Sequence, residues 1–385
     1  MKRILFALKD MNVGGVEKAL LSLLNDMDRQ EYKITVLLLK NSGGFLKDIP
    51  TDVEVKILDQ YEEIETVVNN PPLLEIKRLC RERKVATALK LFIGYVWYKV
   101  GGSMLFYYRM AFSKVPQLTE EYDVAISFTS IISYLTYFVK YKVKSPIKVG
   151  WIHFDVKKLN MDKKTVFNLH KDMQKIYIVS KESYENFITV FPELKDKCEV
   201  KYNIVSKKYI SQMAKEEITD ASFDCKYNGV KIITLGRLSK EKGQDIIPKV
   251  ALRLKQAGID FKWYLIGEGN LRNELEKDIN EKNLVENVIL LGMKTNPYPY
   301  LAKSDIYVQT SIHEGFCISL AEAKVMDLPI LTTEFAGAKE QICDQKTGSI
   351  VKRNVEELYN ELLKFILNET KKKYYAYYMN LEEIN

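Results

Sequence analysis

The sequence predicts an α/β protein with two doubly wound parallel sheets, each in its own domain, and three observations carry that expectation. The chain has 385 residues, more than one hydrophobic core commonly spans. Its N-terminal stretch alternates an apolar run, a glycine turn, a helical period and a second apolar run. From about residue 231 the same alternation starts again and repeats. Strand–helix–strand units of this kind build parallel sheets through right-handed crossovers.

Residues 4–8 read as the first strand, 9–15 as a loop, 16–27 as a helix and 34–39 as the second strand. Apolar runs at 124–126, 147–151 and 176–179 continue that sheet, and Lys201-Tyr-Asn-Ile-Val205 reads as its last strand. Residues 124–139 are uncharged and read as a strand followed by a buried helix. Lys, Glu, Asp and Ser dominate 206–229, the best linker candidate. Strands at 232–235, 263–266, 288–291, 306–309 and 330–332 then alternate with helices such as 245–256 and 271–282. The expected division is 1–205, 206–368 and a C-terminal segment, 369–385. Within that segment Lys371-Lys-Lys-Tyr-Tyr-Ala-Tyr-Tyr378 is either part of a last helix packing back on the first domain or a surface-binding tail.

Composition narrows the class. The chain is 46% hydrophobic and 28% charged, as folded proteins are. The net charge, 58 − 51 = +7, is too moderate to argue for nucleic acid, and no nucleic-acid partner is expected. Five scattered cysteines without a CxxC or Cys/His cluster argue against disulfides and structural zinc and fit a reducing cytoplasm. The apolar part of the N-terminus is too short for a signal peptide, and no run reaches the ~20 apolar residues of a membrane span.

The chemistry gathers at strand ends. Ligand loops of doubly wound sheets lie beyond the carboxyl ends of strands. Gly236-Arg237, Gly267-Glu-Gly269, Gly292-Met-Lys294 and the stretch 311–322 all fall there. In Ser311-Ile-His-Glu-Gly-Phe-Cys-Ile-Ser-Leu-Ala-Glu322, Glu314 sits in a loop and Glu322 about one turn into a helix. The N–H groups of that helix end attract an anion, with one carboxylate before it and one beyond it. A ligand with hydroxyls on both sides of a phosphate, such as a nucleotide-sugar, suits that arrangement. Arg237 and Lys242 bracket a turn that either grips a diphosphate or is a solvated charged turn, with Lys240 as the competing lysine. The glycine turn Asn12-Val-Gly-Gly-Val-Glu17 lacks GxGxxG spacing, so a nicotinamide fingerprint is not supported. His153 follows an apolar strand and is either structural or functional, as is His313, and no histidine pair has metal-ligand spacing. Residues 71–115 carry nine Lys/Arg against two Glu, interleaved with Trp and Tyr. That pattern suits either an anionic membrane surface or a core helix pair with a basic face.

These residues resemble a known family. Gly236-Arg237, Lys242-Gly243, Gly267-Glu-Gly269, Gly292, Glu314-Gly-Phe-Cys-Ile-Ser-Leu-Ala-Glu322, Pro329 and Gly337 are similar, in order, to the motifs of the family 4 glycosyltransferases. The likeness covers about 231–350; Gly14-Gly15-Val16-Glu17 and Trp151-Ile-His153 match more loosely. The resemblance implies the GT-B fold, two Rossmann-like domains facing a cleft, the first binding the acceptor and the second the donor. It implies retaining, metal-independent sugar transfer from a nucleotide-sugar, with no cofactor. UDP is preferred on family frequency, and a lipid-linked or oligosaccharide acceptor in capsule, exopolysaccharide or O-antigen synthesis is expected, with peripheral contact at the inner face of the cell membrane. By the same analogy Arg237 and Lys242 bind the diphosphate, with Gly15 and the backbone at Ile318, Ser319 and Leu320. Glu322 holds the ribose, while Gly315, Phe316 and Cys317 adjoin the donor sugar. Met293 and Lys294 lie near the base, Gly14 belongs to an acceptor loop, and Glu314 and His153 are the expected catalytic pair. Many relatives have glycine where this chain has Cys317. An epimerase or hydrolase on the same fold, or a non-catalytic scaffold, are the alternatives.

Overall fold

The computed structural model describes residues 1–129, 133–158 and 161–368. The chain falls into two compact units, Met1–Asn12 with Val16–Tyr202, and Val13–Gly15 with Asn203–Asn385.

The first unit runs β1 (Lys2–Leu8), α1 (Gly15–Asp26), β2 (Tyr32–Leu38), β3 (Glu54–Ile57), α2 (Tyr61–Asn69), α3 (Pro72–Arg81), α4 (Val85–Lys99), α5 (Leu105–Ala111), β4 (Val124–Phe128), α6 (Ser133–Lys142), β5 (Ile147–Ile152), α7 (Lys163–His170), β6 (Lys175–Ile178), α8 (Lys181–Val190) and β7 (Cys198–Val200). Its parallel sheet has the order β3-β2-β1-β4-β5-β6-β7. The central strands are apolar on both faces, as a sheet covered by helices on both sides requires. Leu5, Ala7 and Ala125 pack with helix residues such as Leu79, Leu91, Phe112 and Phe138 in one core.

The second unit runs α9 (Lys207–Met213), β8 (Val230–Leu235), α10 (Ile247–Gln256), β9 (Phe261–Ile266), α11 (Arg272–Glu281), β10 (Val288–Gly292), α12 (Tyr298–Ala302), β11 (Ile306–Gln309), α13 (Ile318–Val325), β12 (Ile330–Thr333), α14 (Ala338–Gln341), β13 (Ser349–Val351) and α15 (Val355–Leu367). The sheet order is β10-β9-β8-β11-β12-β13, again all parallel. One face packs Ile232, Trp263 and Val308 under α10, α11 and α15. The other packs Ile233, Tyr264 and Tyr307 under α9, α12, α13 and α14.

Several expectations need correction. The last strand of the first sheet is Cys198–Val200, not 201–205. Lys201 N still donates to Ile178 O at 2.8 Å, but Val205 packs against the second unit's core instead. The polar stretch after it is not a loose linker. Ser206 caps α9 by accepting from Tyr209 N, and Ile210 and Phe223 are buried in that same core. Two strands escape the apolar pattern: β3 is half polar, and β13 is three residues long with Ser349 buried. The basic stretch 71–115 forms three helices, α3 to α5. Helix α15 buries Leu358, Leu362 and Phe365 within the second unit. The proposed crossing helix or tail at 369–385 lies outside the described residues.

Candidate functional site

In the second sheet the strand order reverses between β8 and β11. Loops at the carboxyl ends of such a pair diverge and leave room for a ligand. The chain leaving β8 carries Gly236 and Arg237, and the chain leaving β11 carries 310–314. Backbone hydrogen bonds join the strand-end loops into one edge: Gly236 N to Ile266 O (3.0 Å), Leu238 N to Glu268 O (3.0 Å) and Gly267 N to Gly292 O (2.9 Å). The two central loops are also tied, through Ile312 N to Glu241 O (2.8 Å) and Thr310 Oγ1 to Lys242 O (3.0 Å).

That approach brings Lys242 and Glu314 together as an ion pair, Nζ to Oε1, with side chains 21% and 10% exposed. Burial works against the ammonium, but the Glu314 carboxylate outweighs it and raises the Lys242 pKa above the ordinary lysine value. Lys242 is therefore a cation at any physiological pH. The Ser311 hydroxyl donates to the same Glu314 oxygen at 2.7 Å. Arg237 is exposed, and no hydrogen bond or ion pair of its guanidinium occurs among the described residues. Lys240 is exposed as well, which distinguishes it from the paired Lys242.

Helix α13 begins immediately after this loop. Its N-cap is Cys317, in the left-handed region at φ 67°, ψ 78°. That conformation explains why glycine serves at this position in the resembled family: glycine adopts it without steric cost. The thiol is buried, and burial pushes its pKa up to about 12, so it is not a thiolate nucleophile. Ile318 and Leu320 bury their side chains, so only their backbones can serve a ligand. The Leu320 amide already donates to Cys317 O at 3.1 Å, which leaves the Ile318 and Ser319 amides at the helix end. The Gly315-Phe316 turn is braced by Gln341, whose Nε2 donates to Phe316 O. Glu322 is 2% exposed and accepts from the Tyr298 hydroxyl at 2.8 Å. Burial, and then the Glu322 carboxylate, push the Tyr298 phenol far up, so it stays a donor. Met293 is 54% exposed, while Lys294 pairs with Asp220 at 2.7 Å. Among the described residues no three His, Cys, Asp or Glu side chains cluster as a metal site.

In the first unit, His153 lies just past β5, buried between Phe128 (ring centroids 4.5 Å apart) and Trp151 (6.1 Å, stacked). Burial pulls its pKa down to about 3, so the ring is neutral near pH 7. Neither ring nitrogen has a partner among the described residues. Gly14 and Gly15 form the turn into α1. The structure thus gathers Arg237, Lys242, Glu314, Gly315–Leu320 and Glu322 on one sheet edge, and describes His153, Gly14 and Gly15 at strand ends of the other sheet. Sequence reading missed Ser311 and Tyr298, the hydrogen-bond donors to the two glutamates. The spacing of Ser311 three residues before Glu314 was the available signal.

Residues 216–380 match the family model for Glycosyl transferases group 1. The second half is thus similar to the group 1 glycosyl transferases. A Campylobacter jejuni N-acetylgalactosamine-N,N'-diacetylbacillosaminyl-diphospho-undecaprenol 4-alpha-N-acetylgalactosaminyltransferase is 34% identical over 193 residues, 50% of each chain. A Staphylococcus aureus poly(ribitol-phosphate) alpha-N-acetylglucosaminyltransferase is 28% identical over 137 residues, 35% of this chain and 28% of that protein. The matched stretch thus spans half or less of these relatives' length. The whole chain has the GT-B fold. It is similar to S. aureus TarM complexed with Fondaparinux, alpha-GlcNAc-glycerol and UDP (TM-score 0.70, 14% identity, 100% of this chain, 96% of that one). It is also similar to Anabaena HepE complexed with UDP and glucose (TM-score 0.69, 18% identity, 99% and 94%). The Lys242–Glu314 pair sits within the matched residues, as do Arg237 and Glu322.

Cys317→Gly keeps stability within about 1 kcal/mol of the parent, whereas branched Cys317→Val loses about 2 kcal/mol or more, because β-branched residues resist the left-handed region. Urea unfolding reads both. His153 and His170 have folded pKa values near 3 and 4 against an ordinary 6.5, so the unfolded chain binds more protons below pH 6.5. Their contribution is complete above that pH and is lost as pH falls, with a slope of about 1.4 kcal/mol per pH unit for each. In chemical denaturation between about pH 6 and 5, His153→Gln flattens that slope by about half.

Proposed function

We propose that the protein is a retaining glycosyltransferase. It moves a sugar from a nucleotide-sugar, with UDP as carrier, to a lipid-linked or glycan acceptor in bacterial surface-polysaccharide synthesis. The carrying observation is the Lys242–Glu314 pair at the strand-order reversal, with the exposed Arg237 beside it and the α13 amides beyond. A departing nucleoside diphosphate gains negative charge, and Arg237, Lys242 and the helix end stabilise it without calling on a metal. The bond from the sugar's anomeric carbon to the phosphate oxygen breaks, and its electron pair leaves with the diphosphate. The acceptor hydroxyl attacks the same face, and its proton passes to the leaving phosphate oxygen. Glu314 faces the sugar as it acquires oxocarbenium character. Glu322, oriented by Tyr298, takes the ribose hydroxyls. His153, neutral, offers a hydrogen bond rather than a charge to the sugar or acceptor. The printed names of the relatives support a phosphate-linked or polyprenyl-diphosphate acceptor, and the UDP complexes of TarM and HepE support the carrier.

A peripheral membrane position at the inner face of the cell membrane belongs to the same reading. Helix α4 buries Ala88, Leu91 and Gly94, yet its opposite side is also apolar. Leu89, Phe92, Ile93, Val96, Trp97 and Val100 are 40–72% exposed and share one helical stripe. Exposed Lys77, Arg81, Lys90 and Lys99 accompany it. An apolar stripe with Trp and a basic surround suits insertion into an anionic lipid surface. Arg78 contributes little to that charge, since Glu75 and Glu82 already pair with it. No helix among the described residues is long and apolar enough to cross a membrane.

Mass-spectrometric turnover against a panel of nucleotide-sugars tests the reaction. Arg237→Ala lowers kcat/KM by about tenfold to a hundredfold by removing a charge-assisted contact. Unchanged turnover in that variant, or donor hydrolysis with no transfer to any glycan or lipid acceptor, sinks the proposal. For the membrane, Phe92→Asp with Trp97→Asp abolishes co-sedimentation with phosphatidylglycerol vesicles. Equal sedimentation of parent and variant, or a parent dimer that the variant dissociates while vesicle binding persists, overturns it.

A further inference from the structure

Strand β11 lies at the centre of the second sheet and is buried on both faces, where apolar residues are the rule. It departs from that rule on one side. Tyr307 and Gln309 occupy alternate positions and share a face, Ser311 follows two residues beyond the strand, and each is 0% exposed. Buried polar groups are costly unless fully paired. Here they pair with one another in a line. The Tyr307 hydroxyl donates to Gln309 Oε1, Gln309 Nε2 donates to Ser311 Oγ at 2.6 Å, and Ser311 Oγ donates to Glu314 Oε1 at 2.7 Å.

The direction of the line is forced by its end. An ionised carboxylate only accepts, so the single Ser311 proton goes to Glu314. Ser311 must then accept from the Gln309 amide nitrogen, the amide oxygen must face Tyr307, and Tyr307 must donate to it. Burial keeps the Tyr307 phenol well above its ordinary pKa, so that proton is retained.

We propose that Tyr307, Gln309 and Ser311 are positioning residues: a one-way hydrogen-bond relay that fixes Glu314 on Lys242. Its catalytic consequence rests on the transferase reading above; its effect on Lys242 does not. Through the relay, the carboxylate that meets the sugar keeps one position as the donor arrives.

The test uses the full chain with Ser311→Ala, Ser311→Thr and Gln309→Glu. The last variant keeps shape but places a second acceptor beside Ser311, so the line cannot run one way. Two readouts are taken: the acetylation rate of Lys242 by acetic anhydride, measured by peptide mass spectrometry against Lys240, and steady-state kinetics. In Ser311→Ala and Gln309→Glu the Lys242 rate rises at least threefold over Lys240, and kcat falls at least tenfold while the donor KM stays within threefold. Ser311→Thr, which restores the hydroxyl, returns both toward the parent. Unchanged Lys242 labelling in both variants overturns the relay. So does a loss in which kcat and the thermal midpoint fall, the donor KM rises more than threefold and Ser311→Thr rescues nothing. A parent that transfers no sugar from any nucleotide donor overturns the transferase reading instead, and the labelling still decides the relay.

Discussion

The second unit's site depends on one close approach of two backbone turns. At Gly243, φ is +66°, and a Cβ there would lie 2.3 Å from the carbonyl oxygen of Thr310. Only a residue without a side chain lets the chain after β8 come this near the chain after β11. Everything local follows from that proximity. Glu241 O receives Ile312 N, Thr310 Oγ1 reaches Lys242 O, and Lys242 Nζ meets Glu314. The carboxylate and the ammonium come from loops of different strands and have no other route to each other.

The pair has an electrostatic logic beyond stability. A half-buried lysine beside a carboxylate gains little net stability, because desolvation offsets much of the attraction. It does keep a cation poised where water is scarce. When an anion enters, Lys242 can turn toward it without first being stripped of a full hydration shell. Glu314 also accepts from Ser311, a second contact that does not depend on where Lys242 points. Arg237 is exposed, and on the reading proposed above its charge attracts an anion at longer range.

Much of this was legible in the sequence, for identifiable reasons. Strands β8, β9 and β10 are largely apolar and run into Gly236, Gly267 and Gly292, and β11 opens on apolar Ile306-Tyr-Val308, so their carboxyl ends, and hence the loops carrying Arg237 and Glu314, could be placed by pattern. The pattern failed where apolarity served another element. Ile204 and Val205 look like strand residues, but Val205 belongs to the core of the second unit. Residues 206–229 are polar overall, yet Ile210 and Phe223 anchor them to the fold, and two buried side chains are too few to shift a compositional reading. The residue types at the site were readable, but their pairings were not. That Lys242 meets Glu314 across 72 positions is a tertiary fact. Cys317 was legible only as a departure, because its left-handed backbone has no signature in the residue type. The Tyr307-Gln309-Ser311 alternation stood in plain view, but alternate polar residues in a strand ordinarily mean one wet face. Only its central place in the sheet gives them another meaning.

Helix α4 carries a last consequence. Gly94 faces α5 so closely that a Cβ there would come within 2.8 Å of the Tyr107 Cα. With two backbones in contact, α4 cannot roll about its axis without a clash. The azimuth of its outer stripe is therefore set, and the stripe acts as a keel. Against a flat surface, the sheet of the first unit would meet the plane at one tilt and hold the carboxyl ends of β1, β4 and β5 at one height. On the membrane reading proposed above, a single missing methyl group would then fix the depth at which an embedded acceptor is sampled.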